Sequence, residues 1–370
     1  MRILFVFGTR PEAVKLCPLV LAMREAPGFE ARVCVTAQHR EMLDRILAVF
    51  GVEPELDLNV MRPRQTLAAL TSRIVDALDP VLAEQKPDMV LVQGDTTTTF
   101  AAALAAFYRR IPTGHVEAGL RTGDLAEPFP EELNRVLTTR LAALHFAPTA
   151  RAAANLRREH VPEQHIHVTG NTGIDALLFV SGKLERGEIP GYDGPLPAPG
   201  KRIVAMTAHR RESFGAGFEQ ICDAVLRLAA RGDVQIIYPV HPNPHVRDVV
   251  DRRLRNVPGV TLLEPLDYVP FVDLMRRADI LLTDSGGVQE EGPSLGKPVL
   301  VMRDKTERQE AVEAGTAQLL GTDPERIVSA VAAALDKLNE GPPPASVDNP
   351  FGDGRASARI LDAIRSFHDK

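Results

Sequence analysis

Short, mostly apolar runs alternate with amphipathic stretches twice along this chain, and a proline-rich break separates the two series. In the first half the runs fall at residues 3–7, 32–36, 89–92, 113–116, 144–147 and 166–169, with helical patterns at 41–49, 67–84 and 100–109 among them. Runs that are apolar at successive positions, rather than alternate ones, read as strands buried on both faces, the pattern of a parallel sheet covered by helices. Residues 187–200 then carry Pro190, Pro195, Pro197 and Pro199 among four glycines, with little to bury. The alternation restarts at 202–206, 234–239, 260–263, 280–283 and 298–302, with helical patterns at 218–230 and 326–338. Pro342-Pro343-Pro344 marks a second break before a last amphipathic stretch at 356–367. The expectation is an α/β chain of two Rossmann-like domains, residues 1–170 and 171–350 with 171–200 as connector, whose parallel sheets face each other across a cleft. Ligands should sit at the carboxyl ends of the strands.

At 370 residues the chain is long enough for two cores. Its net charge of -6 gives no electrostatic reason to expect nucleic acid or an anionic membrane, so an anionic ligand would need a local basic pocket. Cys17, Cys34 and Cys222 lie far apart without metal-binding spacing and read as reduced thiols. Met1-Arg2 runs directly into the first apolar stretch, which is too short for a secretion signal, and nothing approaches the roughly 18 apolar residues of a membrane span. A cytoplasmic protein with no membrane partner is expected. Neither a metal nor another cofactor is expected either: there is no HExxH or CxxC spacing, no GxGxxG fingerprint and no Walker lysine. A Gly-x-Ser-x-Gly elbow is also lacking.

The loops after the strands carry the chemistry. Gly8-Thr9-Arg10-Pro11-Glu12 follows the first strand; Pro11 suits the first helical position, and Arg10 and Lys15 stand near a helix N-terminus that could hold an anion. An ordinary turn with solvated Arg10 and Lys15 is the plain alternative. In Gln93-Gly94-Asp95-Thr96-Thr97-Thr98-Thr99, Asp95 is either a helix cap or a catalytic acid. Glu117, in His115-Val116-Glu117-Ala118-Gly119-Leu120-Arg121, follows a buried strand, where a carboxylate is costly unless paired; His115 or Arg121 could be its partner. Glu131 follows Pro130 in a first helical turn, where the dipole alone favours acids. Taken together, these carboxylates point to acid/base chemistry.

In the second half, Thr207-Ala208-His209-Arg210-Arg211-Glu212 places a histidine and two arginines at a strand end, suited to a diphosphate. Thr283-Asp284-Ser285-Gly286-Gly287-Val288-Gln289-Glu290-Glu291 offers backbone donors to a phosphate, and either Glu290 or Glu291 could reach ribose hydroxyls. Arg308 is a further candidate for the same pocket.

In order along nearly the whole chain, these blocks resemble the bacterial non-hydrolysing UDP-N-acetylglucosamine 2-epimerases. Thr36-Ala37-Gln38-His39-Arg40 and Pro350-Phe351-Gly352-Asp353-Gly354 extend the likeness. The resemblance implies a glycosyltransferase-B type fold with the final helix, 351–370, returning to the first domain. It implies reversible conversion of UDP-N-acetylglucosamine to UDP-N-acetylmannosamine through elimination of UDP to 2-acetamidoglucal, feeding surface polysaccharide synthesis, in a homodimer. By motif match Asp95, Glu117 and Glu131 are the acid/base residues and His209 assists the leaving UDP. Arg10, Lys15, Ser285, Gly286, Gly287, Glu291 and Arg308 match nucleotide-binding positions, and Phe271 an aromatic near the uracil. Gln38, His39 and Arg64 resemble an allosteric site for UDP-N-acetylglucosamine. Departures from the family pattern are Gln93 for a histidine, Leu266 for a glutamine near the uracil, and Glu41 for a glutamine. Which carboxylate removes the C2 proton and which returns it stays open.

Overall fold

The computed structural model describes residues 1–36, 40–62, 65–197, 200–341 and 348–368. They divide into two compact units, Met1–Phe179 with Phe351–Lys370, and Val180–Pro350.

The first unit is built on strands β1 (Arg2–Phe7), β2 (Glu30–Val35), β3 (Leu56–Asp57), β4 (Met89–Gln93), β5 (Thr113–Val116), β6 (Leu144–Ala147) and β7 (Ile166–Val168). All pair in parallel, in the order β3-β2-β1-β4-β5-β6-β7. Helices α1 (Arg10–Glu25), α2 (Arg40–Phe50), α3 (Leu67–Gln85), α4 (Thr97–Tyr108), α5 (Glu131–Leu141), α6 (Ala150–Arg158) and α7 (Thr172–Glu185) connect and follow them, and the division between units falls inside α7. Residues Ile3 to Phe7 of β1 are fully buried, because helices cover both faces of the sheet. On one face Leu4, Val6, Val90 and Val92 pack against Leu70, Ile74, Leu78 and Leu82 of α3 and the alanines Ala101, Ala102, Ala105 and Ala106 of α4. Each leucine buried there contributes about 1.5–3 kcal/mol of apolar transfer, and the small alanine face lets α4 approach the strands closely.

The second unit repeats the plan with β8 (Arg202–Thr207), β9 (Val234–Pro239), β10 (Val260–Leu263), β11 (Ile280–Thr283), β12 (Val299–Val301) and β13 (Ala317–Leu319), in the order β10-β9-β8-β11-β12-β13. Its helices are α8 (Ala216–Ala230), α9 (Pro244–Leu254), α10 (Tyr268–Arg277), α11 (Gly286–Glu291), α12 (Gln309–Glu313) and α13 (Pro324–Glu340). The chain ends in α14 (Ala356–His368), which belongs to the first unit and contacts α1. Asp175 of α7 accepts from the first backbone donors of α14, Ala356 N at 3.2 Å and Ser357 N at 2.8 Å.

In both sheets the strand order reverses beside the first strand, between β1 and β4 and between β8 and β11. At such a reversal the flanking connections leave in opposite directions and open a crevice at the carboxyl ends. The loops after β1 and β4, and those after β8 and β11, are among those that carry the candidate residues, and the loop after β5 adds Glu117. Strands β3 and β13 are additions to the expected set; at two and three residues they are too short to show a hydrophobic period. Among the described residues no helix is long and apolar enough to cross a membrane.

Two buried histidines make the first sheet acid-labile. His115 on β5 and His145 on β6 stand opposite each other in register. Burial first, and neighbouring positive charge, pull His115 down to about 4 and His145 down to about 3. Below pH ~6.5 the unfolded chain takes up protons at these rings that the folded chain resists, so stability falls as pH drops. At about 1.4 kcal/mol per pH unit per ring, roughly 2 kcal/mol per histidine is lost by pH 5. Burial pushes the carboxyls of Glu12, Asp95 and Asp175 up, which acts in the opposite sense from the ordinary carboxylate range upward. Unfolding free energies at pH 7 and pH 5 read the histidine effect, and His145→Gln should roughly halve the slope; equal stability at both values would contradict it.

Candidate active site

Glu12, to which the sequence analysis gave no role, ties the first pair of loops together. Its carboxylate, 1% exposed, accepts from the backbone N–H of Gly8 at 3.1 Å and Thr9 at 2.8 Å. On its other oxygen it accepts from the hydroxyls of Thr96 at 2.8 Å and Thr99 at 3.4 Å. Thr9 completes a capping box by accepting from Glu12 N, which makes Pro11 the second helical residue rather than the first. The two segments meet closely: a Cβ on Gly8 would lie 3.0 Å from Thr98 Oγ1 in the first turn of α4, and 2.0 Å from Thr36 Oγ1 after β2.

Asp95 is not the cap of α4. Thr96 is, accepting from Thr99 N at 3.1 Å, and so Asp95 is turned to another task. Its Oδ2 accepts from Arg135 at 2.6 Å, while Asn134 donates to its backbone oxygen at 2.8 Å. Arg135 also donates to Glu132 at 2.8 Å, and Glu132 accepts from Thr122 N and Gly123 N. The first turns of α5 thus hold both Asp95 and the loop leading into the helix. Burial raises the Asp95 carboxyl; Arg135 opposes this, Glu117 adds to it, and Lys15 opposes it again.

Glu117 leaves β5 in a left-handed conformation, φ 65°. Its Oε1 accepts from Lys15 and, at 3.1 Å, from Asn171 Nδ2; its Oε2 accepts from Gln93 Nε2. The expected partners are therefore replaced. His115 is buried inside β5 with Nε2 2.7 Å from Gly94 O, and Arg121 pairs with Glu159 at 2.6 Å and donates to Thr139 at 2.8 Å. A Cβ on Gly94 would lie 3.7 Å from Glu117 Oε2, so the Asp95 loop runs directly against Glu117. Asp95 and Glu117 are brought together, whereas Glu131 is a half-buried first residue of α5, joined to them through Asn134 and Arg135. Lys15 stands on Glu117, and Arg10 is exposed at the first position of α1.

In the second unit His209 follows β8 and Asp284 follows β11. Asp284, fully buried, accepts from His209 N at 2.6 Å and Arg210 N at 2.7 Å, and its Oδ1 lies 3.1 Å from His209 Nδ1. Burial raises this carboxyl, but the ring and the two backbone donors more than offset it, and the net direction is down. His209 also stacks on His241, centroids 5.4 Å apart. Ser285 occupies the cap position of α11, and Gly286 faces Arg308, whose Cζ would be 3.3 Å from an added Cβ. Arg308 donates to Glu290 at 2.6 Å, so of the two acids left open Glu290 is the one turned inward. Gly287 has more room, with Ser285 Oγ 3.9 Å from an added Cβ. Tyr268, raised by burial and then by the charge of Glu291, sets Glu291 near the start of α10, where Phe271 is half-buried in the first turn. Gln38, His39 and Arg64 lie outside the described residues. Among those described, no group of three or more His, Cys, Asp or Glu side chains is arranged to hold a metal ion.

Two all-parallel α/β units with polar loops at both switch points define an α/β enzyme of the glycosyltransferase-B type. The fold extends to the glycosyltransferase SnogD of Streptomyces nogalater, 16% identical, with a TM-score of 0.57 over 98% of this chain and 99% of that one. More specifically, the family model for UDP-N-acetylglucosamine 2-epimerase matches residues 21–365, and the chain belongs to that family of isomerases. The UDP-N-acetylglucosamine 2-epimerase of Salmonella typhimurium is 56% identical over 374 residues, covering 99% of each chain. That of Escherichia coli K12 is 56% identical over 373 residues, again with 99% of each chain covered. The crystal structure of the Neisseria meningitidis enzyme bound to UDP-GlcNAc is 46% identical, with a TM-score of 0.88 over 99% of this chain and 100% of that one.

Glu12, Arg135, Asn171 and Asp284 escaped the sequence reading. Thr9-x-x-Glu12 is a capping-box pattern and could have flagged Glu12; Asp284 sat unassigned inside a quoted motif. Nothing local marks Arg135 or Asn171.

Proposed function

We propose that the chain interconverts UDP-N-acetylglucosamine and UDP-N-acetylmannosamine by breaking the C1–O bond, losing the C2 proton, and reversing both steps on the other face of C2. The observation that carries this is the contact between the Asp95 loop and Glu117, two carboxylates in unlike environments. Two carboxylates held by different partners suit different proton roles. Glu117, accepting from Lys15, Asn171 and Gln93, is the base at C2. Asp95, its carboxyl raised by burial, is the acid partner for the other face, with Glu131 as a third acid on the helix whose Asn134 and Arg135 hold Asp95. UDP departs with the bonding electrons of C1–O. Asp284 orients His209 through Nδ1, offering Nε2 to the departing diphosphate, while Ser285, Gly286, Gly287, Glu291, Arg308 and Phe271 bind the nucleotide. The bound UDP-GlcNAc of the Neisseria relative supports the choice of substrate. A homodimer in the cytoplasm belongs to the same reading and is supported by family resemblance.

Incubation with UDP-N-acetylglucosamine alone in deuterated water tests it. The expected product is UDP-N-acetylmannosamine with deuterium at C2 and little free UDP. Accumulating UDP and free sugar would mark a hydrolysing enzyme, and no turnover without an acceptor would mark a glycosyltransferase.

A further inference from the structure

Asn171 stands where three features meet: the returning chain before α14, the start of α7 and the Glu117 carboxylate. Its backbone N–H donates to Phe351 O at 2.7 Å, joining it to the returning chain just before α14. Here Gly170 (φ 87°) and Gly352 (φ 131°) pass so closely that a Cβ on Gly170 would lie 3.3 Å from Gly352 Cα. Its Oδ1 accepts from Gly173 N at 3.0 Å, in the manner of a helix cap for α7. That bond settles the orientation of the amide: the oxygen is committed to α7, so Nδ2 is the group aimed at Glu117 Oε1, 3.1 Å away. The side chain is 3% exposed and its environment leaves it little freedom to rotate.

We infer that Asn171 is a positioning residue for the epimerisation: its amide fixes the orientation of the Glu117 carboxylate and anchors that orientation to the chain returning at Phe351. The inference rests on Glu117 being the base. A glutamate side chain has three rotatable torsions, and Glu117 sits on a left-handed residue at a strand end. Lys15 supplies charge to Oε1, but an ammonium group on a flexible stem directs poorly; the planar amide of Asn171, locked at both ends, defines a direction. This also gives a task to the Pro350-Phe351-Gly352 segment, which the substrate contacts leave unassigned. The charged and titratable groups around Glu117 include Lys15 from α1, Asp95 after β4 and His115 within β5.

Asn171→Asp tests this, because it keeps the shape and the oxygen for Gly173 N but turns the donor toward Glu117 into a second negative charge. The expected result is a fall in kcat of about tenfold to a hundredfold, KM for UDP-N-acetylglucosamine within about twofold, and an acidic limb of the kcat profile moved to higher pH. Asn171→Ser, which retains a capping oxygen but cannot reach Glu117, serves if the aspartate variant does not fold, and should also lower kcat and move the limb. Wild-type kcat and limb would overturn the inference. So would a fall in kcat with the limb unmoved, which would assign Asn171 to helix capping alone. Deuterium uptake at C2 by the wild type separates the two levels: uptake with unaltered variants defeats this inference only, whereas no uptake defeats the acid/base reading beneath it.

Discussion

Glu117→Gln lowers kcat for epimerisation by about 10²–10⁴-fold, the usual weight of a positioned proton-transfer group. Glutamine keeps the length and planarity of the side chain, so packing beside Gly94 is preserved. What is lost is the negative charge opposite Lys15 and the ability to take the C2 proton. KM should change far less, because the proposed nucleotide contacts belong to other residues. Asp95→Asn should give a fall of similar size, since inversion needs a second group that works from the other face. The informative readout is deuterium uptake at C2 alongside kcat: both should collapse in Glu117→Gln. If that variant keeps kcat within tenfold of wild type, Glu117 is not the base.

Glu12→Ala destabilises the first unit by about 3–7 kcal/mol. The substitution removes a helix-capping contribution of about 1 kcal/mol. It also strands the buried backbone donors of Gly8 and Thr9, each at about 1–3 kcal/mol when no water can reach it. The hydroxyls of Thr96 and Thr99 lose an acceptor as well, though they can rotate; Thr99 already donates to Gln93 O at 2.6 Å. With two units, unfolding need not be a single transition, so the measurement is the shift of the transition carrying α1 in denaturant unfolding followed by hydrogen exchange. Glu12→Gln retains one acceptor oxygen and should fall between wild type and alanine. Wild-type stability in Glu12→Ala would mean that the loops hold their places without the carboxylate.

Most strands were legible because their signal is local. Runs such as Ile3–Phe7 and Met89–Val92 are apolar throughout, as suits a strand between two helical layers, and the boundaries at 113–116, 144–147 and 280–283 match those read from the sequence. β3 and β13 were illegible for the opposite reason: at the sheet edge a strand needs only a few residues, and Leu56–Asp57 shows no period. The site divided along the same line. Asp95, Glu117 and His209 announced themselves as polar residues at strand ends. Their partners did not, because each hydrogen bond spans a long stretch of chain: 84 residues from Glu12 to Thr96, 40 from Asp95 to Arg135, 75 from His209 to Asp284 and 54 from Glu117 to Asn171. Asp95 illustrates the gap well. Beside four threonines it was equally a cap or a catalyst, and the choice fell to Thr96, which adopts the extended backbone a cap requires.

By itself, then, the sequence determined that two parallel α/β sheets would form and which loops would emerge at their carboxyl ends, since hydrophobic runs and turn residues act over a few positions. Which polar side chains meet in those loops was decided only by the tertiary structure. Strand order places β4 beside β1 and β11 beside β8, and no short-range rule states that order. Only with it in place does Glu12 join the loops after β1 and β4, Lys15 reach Glu117, and Asp284 lie under His209. In that assembled setting burial raises the Asp95 carboxyl, whereas at Asp284 the His209 ring and two backbone donors outweigh burial and lower it, although both begin as the same chemical group.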